Sequence, residues 1–247
     1  MKLIPSFLSD KKLSHEEWDE WRESLSDNTR NACTALEEFL TSESMNVVEL
    51  KGDWGVGKTH FFQNFLSWAR QHNRLQRFRA YSYVSLFAQT SLSSLEAAIF
   101  GSHEPLHASS GSRLASVYKS VKALADQASQ STLTLGSASV AIGTASGLID
   151  GLIRKHYIKD FLICFDDLER MDPRISPSAF LGIVSSLKEQ QNCKVVLIYN
   201  HEKLASGNRR FQKAIEEYRE KIIDREISLR PTAAENLAVA WPQEMAR

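Results

Sequence analysis

The chain has 247 residues, enough for one α/β domain of ordinary size or for a core domain with a small appendage. Hydrophobic residues make up 43% and charged residues 24%, which excludes disordered and fibrous proteins. The 30 lysines and arginines balance 30 aspartates and glutamates, so net charge gives no strong signal for nucleic-acid binding or for an anionic membrane surface.

Cysteine usage and the first residues of the chain predict the compartment. Cys33, Cys164 and Cys193 have neither the even number of a disulfide framework nor the C-x-x-C spacing of a zinc site. The first ten residues contain no long apolar region of the kind found in secretory signals. We therefore expect a cytoplasmic protein.

Two helices are predicted over residues 14–42, ahead of the first strand. Ser14 and Glu17 have capping-box spacing, and Asp27 is the predicted cap of the second helix. We interpret residues 1–45 as an N-terminal helical flap on a core at 46–235.

The core alternates strands with helices. Strands are predicted at residues 47–50, 80–86, 161–165, 194–199 and 226–229. Helices are predicted at 91–100, where Ser93 and Glu96 have capping-box spacing, at 110–128, at 207–223, and around the apolar residues at 61–68 and 180–187. The runs 161–165 and 194–199 are uninterrupted apolar stretches, as in strands buried on both faces of a parallel sheet. This pattern predicts a three-layer α/β fold with a mainly parallel sheet and helices on both faces.

The clearest motif lies between the first strand and the next helix. Residues 52–59 read Gly-Asp-Trp-Gly-Val-Gly-Lys-Thr and match G-x-x-x-x-G-K-[ST], a loop whose backbone N–H groups surround phosphate oxygens. Lys58 is expected to reach the β- and γ-phosphates, and the Thr59 hydroxyl to ligate Mg²⁺. The residues predicted to contact the nucleotide are Gly52, Trp54, Gly55, Val56, Gly57, Lys58, Thr59 and His60. The side chain of Trp54 is assigned no role. The alternative is a tight strand–helix turn without a ligand.

Two adjacent acids follow the buried run at 161–165. A metal bound at Thr59 needs a carboxylate on its other side, and Asp166 is the predicted ligand. Asp167 is predicted to orient or deprotonate the attacking water, with Glu169 the next candidate base. Successive strand side chains point to opposite faces, so we expect the strand to end between Asp166 and Asp167. The alternative is that the aspartates only form a turn or a helix cap.

Asn200 and a basic helix complete the candidate site. Asn200 ends the strand 194–199 and is predicted to contact the γ-phosphate or the water; the alternative is a turn-forming asparagine. Arg209, Arg210, Arg219 and Lys221 are candidates for a cation that acts in a neighbouring subunit. A solvated basic helix face is the alternative for these four residues.

Four segments resemble the KAP-type P-loop NTPases of bacteria. They are residues 52–59, 83–87 with 94–96, 165–170 and 218–223, and the resemblance spans about 46–235. It implies that Asp166 is the Walker B residue, Asp167 the catalytic carboxylate and Asn200 the sensor. It also implies one strand between the P-loop strand and the Walker B strand. Members of this family occur in phage-exclusion and other defence settings, which suggests such a role.

The chain departs from the family in two places. Relatives continue into a helical lid and further domains, so we expect 236–247 to begin such a lid and an effector region to be missing. Relatives also often carry membrane helices between the Walker motifs, where this chain has a predicted helical insertion at about 107–157. Within it, 133–153 contains one charge, Asp150, but is mostly small residues. We therefore expect a soluble hairpin or helix there.

The sequence favours an ATPase over its rivals. No N-K-x-D guanine motif occurs, so ATP with Mg²⁺ is the expected ligand. We predict an oligomerising ATPase or ATP-driven switch in bacterial defence, with homo-oligomerisation and an effector protein as expected partners. The alternative is a nucleotide-gated scaffold or signalling module with little turnover. A small-molecule kinase is disfavoured, because no arginine-rich lid lies between the two Walker motifs.

Overall fold

The computed structural model describes residues 22–106 and 158–235, except 24 and 208. The first predicted helix, the insertion at 107–157 with its predicted helix and its 133–153 segment, and the end at 236–247 lie outside the described residues. None of the helices in the described ranges combines the length and the apolar character needed to cross a membrane.

Six strands and six helices are numbered in chain order. The strands are β1 (Val47–Lys51), β2 (Ala80–Ser85), β3 (His103–Pro105), β4 (Phe161–Asp166), β5 (Lys194–Tyr199) and β6 (Arg225–Ser228). The helices are α1 (Asp27–Thr41), α2 (Lys58–Gln71), α3 (Leu92–Gly101), α4 (Pro177–Glu189), α5 (His201–Gly207) and α6 (Arg209–Ile222). Single 3₁₀ turns, Leu86–Ala88 and Leu168–Arg170, follow β2 and β4. All five predicted strands are present, with ends that differ from the predictions by one residue at most.

The six strands form one sheet in the order β3-β2-β4-β5-β1-β6. Every neighbouring pair is parallel except β2 and β3. β5 lies between β1 and β4, which confirms the single intervening strand implied by the resemblance. The edge strand β3 was not predicted, because three residues are too few to show an alternating pattern.

Alternation along the strands builds two apolar layers. In β4, Phe161, Ile163 and Phe165 face one core, and Leu162 and Cys164 face the other. Helices α3 to α6 cover the first face, and α1 and α2 cover the second. The predicted three-layer α/β fold is therefore confirmed.

Both predicted caps are displaced. Ser26, not Asp27, is the N-cap of α1, because its hydroxyl accepts a hydrogen bond from the Thr29 N–H and Asp27 is already helical. For α3 the reciprocal pair is Ser91 with Ser94, at 3.1 and 3.2 Å, instead of Ser93 with Glu96. The chain is still extended at Ser91, so the observed cap lies two residues before the predicted one.

The helical region at 201–222 is also divided differently from the prediction. One helix at 207–223 was expected, but α6 begins at Arg209 and a separate short helix, α5, precedes it. The Oδ1 of Asn200 accepts a hydrogen bond from the Lys203 N–H at 2.7 Å, which caps α5. This cap starts a helix immediately after β5.

The segment after β6 returns to α1. The backbone N–H of Arg230 donates to Oδ1 of Asn28 at 2.6 Å. The backbone N–H of Ser26 donates to Oε1 of Glu235 at 2.9 Å. These two hydrogen bonds fix residues 230–235 across the beginning of α1.

Candidate nucleotide-binding site

The loop between β1 and α2 has the backbone that its glycines predict. Gly55 and Gly57 have φ of 79° and 78°, in the left-handed region that glycine adopts without a steric penalty. At Gly52 a Cβ would lie 2.7 Å from the carbonyl oxygen of Leu229, so a larger residue does not fit. Gly57 caps α2 without any side-chain hydrogen bond, which leaves the first N–H groups of the helix available to an anion.

Lys58 lies over the beginning of this loop. Its Nζ donates to the carbonyl oxygens of Gly52 and Asp53, both at 2.9 Å. Burial lowers the pKa of Lys58, while the nearby carboxylates, Glu169 foremost, raise it in opposition. The structure therefore places this cation where the sequence predicts contact with the β- and γ-phosphates.

Thr59 and Asp166 meet although they lie far apart in the sequence. Asp166 follows Cys164 in the alternation of β4 and so faces α2, where the Thr59 hydroxyl donates to its Oδ2 at 2.6 Å. The Tyr83 hydroxyl donates to the same oxygen at 2.8 Å. A hydroxyl and a carboxylate are hard oxygen ligands, and Mg²⁺ in nucleotide sites takes one or two of these together with phosphate oxygens. The pair therefore fits the predicted metal.

Asp167 has different partners from Asp166. β4 ends at Asp166, and Asp167 adopts φ 60° and ψ 38° in the turn that follows. Its Oδ2 accepts a hydrogen bond from the Ser85 hydroxyl at 2.7 Å, and its Oδ1 lies 3.7 Å from the Arg170 guanidinium. The predicted end of the strand between the two aspartates is confirmed.

Glu169 and Asn200 join the turn after β4 to the end of β5. Oε2 of Glu169 accepts the backbone N–H of Asn200 at 3.2 Å, and burial raises the pKa of Glu169. Asn200 is only 1% exposed, and its Oδ1 is occupied by the backbone of Lys203. The structure thus gives Asn200 the capping role of the alternative interpretation, and its sensor role stays a prediction.

His60 is the third residue of α2, beside the loop. Its Nε2 is 2.9 Å from Nδ2 of Asn64, one turn further along α2. Burial lowers the pKa of His60. The imidazole is therefore held against α2, and any contact of His60 with nucleotide falls to its backbone N–H.

Two residues of this cluster were missed by sequence reasoning. Tyr83 and Ser85 both lie on β2, and Ser85 pairs in register with Asp166. Their positions near the end of a predicted strand were visible in the sequence. The missing information was the strand order, because only a β2 next to β4 brings these hydroxyls to the two aspartates.

The basic helix α6 differs in part from its prediction. The Arg219 guanidinium pairs with Glu226 and lies 3.7 Å from the buried Glu49, so it is held within its own chain. Glu49 also accepts a hydrogen bond from Tyr199 and pairs with Lys51 at 2.8 Å. The other three cationic candidates, Arg209, Arg210 and Lys221, are exposed. Arg219 thus has ion-pair partners in its own chain, and its role as a cation that acts in a neighbouring subunit stays a prediction.

The parallel sheet and the glycine loop between β1 and α2 have the arrangement of a P-loop domain, and that arrangement implies nucleotide binding. The model of the KAP family P-loop domain matches residues 149–244. This match includes β4, β5 and the helices that follow them. No curated protein matches the chain.

Several solved structures are similar to the chain. The ORC2 protein of Aeropyrum pernix, solved as ADPNP–ADP complexes, is 15% identical, with 87% of this chain and 50% of that chain covered and a TM-score of 0.46. A Walker-type ATPase of Pyrococcus abyssi is 16% identical, with 87% and 56% covered and a TM-score of 0.44. The ORC1 protein of Aeropyrum pernix, in complex with DNA, is 16% identical, with 95% and 50% covered and a TM-score of 0.43. The chain spans about half the length of these proteins.

Proposed function

We propose that this chain binds ATP with Mg²⁺ and hydrolyses it. One observation carries the proposal: the Thr59 hydroxyl lies 2.6 Å from Oδ2 of Asp166, although 107 positions separate the two residues. A strand–helix turn without a ligand needs no such contact. A metal–nucleotide site requires it, because one ion must reach both residues.

Each group has a role in the proposed reaction. The N–H groups of the loop and Lys58 bind the phosphates. Thr59 and Asp166 would hold Mg²⁺, which when bound neutralises charge on the β- and γ-phosphate oxygens. Asp167 orients the attacking water and accepts its proton, and Ser85 fixes the carboxylate. Glu169 is the second candidate base, because its burial raises its pKa toward the range useful for proton transfer.

A nucleotide-gated scaffold with little turnover is the second candidate. It is favoured by the engagement of Asp167, whose two oxygens already face Ser85 and Arg170. A water molecule bound to Asp167 shares the carboxylate with these two groups, and the positive charge of Arg170 weakens Asp167 as a base. Slow hydrolysis in the isolated chain, released on assembly or by an effector protein, is consistent with this arrangement. The defence role is supported by the KAP resemblance, and the cytoplasmic setting by the cysteine usage. The homo-oligomer is supported by the basic helix α6 as a source of a cation that acts in a neighbouring subunit.

The test combines binding with turnover. Calorimetry with ATP, with and without Mg²⁺, should show binding by the parent chain and severe weakening in Lys58→Ala, which lacks the loop cation. Lys213→Ala, on the exposed face of α6, is the matched control and should bind like the parent. Unchanged ATP affinity in Lys58→Ala would refute the P-loop assignment. Steady-state phosphate release then separates the ATPase from the scaffold.

A further inference from the structure

An exposed tryptophan in the phosphate loop forms a cation–π contact with a lysine. Trp54 is 59% exposed, which is unusual for an aromatic residue of this size. The Nζ of Lys203, from the first turn of α5, lies 3.9 Å from the centroid of the Trp54 ring. This contact joins the loop after β1 to the helix after β5.

The contact lies next to the two loop residues that the Lys58 ammonium binds. The Lys58 ammonium, which reaches the β- and γ-phosphates in P-loop sites, is bound to the carbonyl oxygens of Gly52 and Asp53. Trp54 is the next residue. Two ammonium groups therefore meet neighbouring residues at the same end of the loop.

Lys203 is anchored through its backbone and exposed at its side chain. Its N–H is bound to Oδ1 of Asn200 at 2.7 Å, and Asn200 is in turn bound to Glu169. The side chain is exposed. Within the described ranges the Lys203 ammonium forms no ion pair with a carboxylate. The cation is therefore held near the site without a competing acid.

We propose that Lys203 binds the terminal phosphate of ATP and makes the site discriminate ATP from ADP. In the free protein its ammonium rests on Trp54, a weak contact at an exposed position. A phosphate oxygen is the stronger partner, because the hydrogen bond is charge-assisted on both sides. This inference rests on the proposed nucleotide site and adds a residue that binds the triphosphate form selectively.

Calorimetry of two ligands tests this role. A non-hydrolysable β,γ-imido analogue of ATP and ADP are titrated, each with Mg²⁺, into the parent chain, Lys203→Met, Lys203→Arg and the surface control Lys213→Met. In Lys203→Met the affinity for the analogue should fall about 10-fold, as for loss of one hydrogen bond to a charged group, with ADP affinity unchanged. Lys203→Arg should restore most of the preference. Lys213→Met should match the parent for both ligands.

Three results would overturn the inference. If Lys203→Met binds the analogue as well as the parent does, Lys203 does not touch the terminal phosphate. If affinity for ADP and for the analogue falls equally, Lys203 only supports the loop through Trp54. A parent chain that binds neither ligand would overturn the proposed function as well, whereas tight parental binding with an unchanged ratio would remove only the role of Lys203.

Discussion

The Thr59 hydroxyl donates to Oδ2 of Asp166 at 2.6 Å, and this bond joins the first turn of α2 to the end of β4. Tyr83 donates to the same oxygen from β2. Three elements therefore converge on one carboxylate. The same two side chains would hold Mg²⁺ through their oxygens, so the pair serves structure in the free protein and would serve the proposed metal in the complex.

Thr59→Val should lose both the hydrogen bond to Asp166 and the proposed ligand of Mg²⁺. The valine has the same shape but no hydroxyl, so the free energy of unfolding should fall by about 1 kcal/mol. The increase in ATP affinity on adding Mg²⁺ should also disappear. Thr59→Ser keeps the hydroxyl and should retain both properties. Denaturant titration and calorimetry with and without Mg²⁺ measure the two effects, and Mg²⁺-dependent binding in Thr59→Val would contradict the assigned ligand.

Substitution of each aspartate by asparagine should have different effects on binding and on hydrolysis. Asp166→Asn should weaken Mg²⁺-dependent ATP binding and hydrolysis together. Asp167→Asn should keep binding and lose hydrolysis by roughly 10²–10⁴-fold, because an amide of the same size cannot accept the proton. Binding is measured by calorimetry and hydrolysis by phosphate release. Parental turnover by Asp167→Asn in the assembled, stimulated state would transfer the role of base to Glu169.

Arg219→Ala should lower the stability of its own chain and should not act through a neighbouring subunit. The guanidinium neutralises Glu226 and the buried Glu49, and its removal leaves Glu49 with less compensation. We expect a lower free energy of unfolding and no rescue of turnover on mixing with Lys58→Ala subunits. Lys221→Ala, exposed on the same helix, is the control for stability and the better candidate for a cation in trans. Rescue of turnover when Arg219→Ala is mixed with Lys58→Ala would show that Arg219 acts as a cation in a neighbouring subunit.

Lys194 should make the free energy of unfolding change with pH in the alkaline range. Its ammonium is fully buried and donates to the carbonyl oxygens of Ser42 and Met45, and burial lowers its pKa from 10.5 to about 8. Between these two values the unfolded chain holds the proton and the folded chain releases it. Stability from this residue therefore rises as the pH increases through that window.

The matched variant for this effect is Lys194→Met, which keeps the length of the side chain and removes the titrating group. The free energy of unfolding of the parent, minus that of Lys194→Met, should increase between pH 8 and 10.5. Urea titrations of the two proteins at each pH measure this difference, and the other lysines and tyrosines cancel in it. A difference that is constant or falls with pH would show that Lys194 stays charged in the folded protein.

Local sequence patterns were enough to predict five of the six strands in the described residues and the course of the loop between β1 and α2. The loop and the end of β4 follow from rules that act over a few residues, such as glycine conformation and strand alternation. The contacts of Tyr83, Ser85 and Arg219 depend on which strands and helices become neighbours, and that is decided by packing of the whole chain. The caps of α1 and α3 were misplaced because several serines near each helix start can accept the same backbone N–H.

The close approach of Gly52 to Leu229 has a mechanical consequence. The backbone N–H of Leu229 donates to the carbonyl oxygen of Lys51 at 2.7 Å, and a Cβ on Gly52 would lie 2.7 Å from the Leu229 carbonyl. Gly52 thus has no free space on the side that faces Leu229. Because residues 230–235 are hydrogen-bonded to the start of α1, a shift of Gly52 on nucleotide binding would press on a segment that contacts α1. Residues 229–235 therefore connect the phosphate site to the N-terminal helix α1.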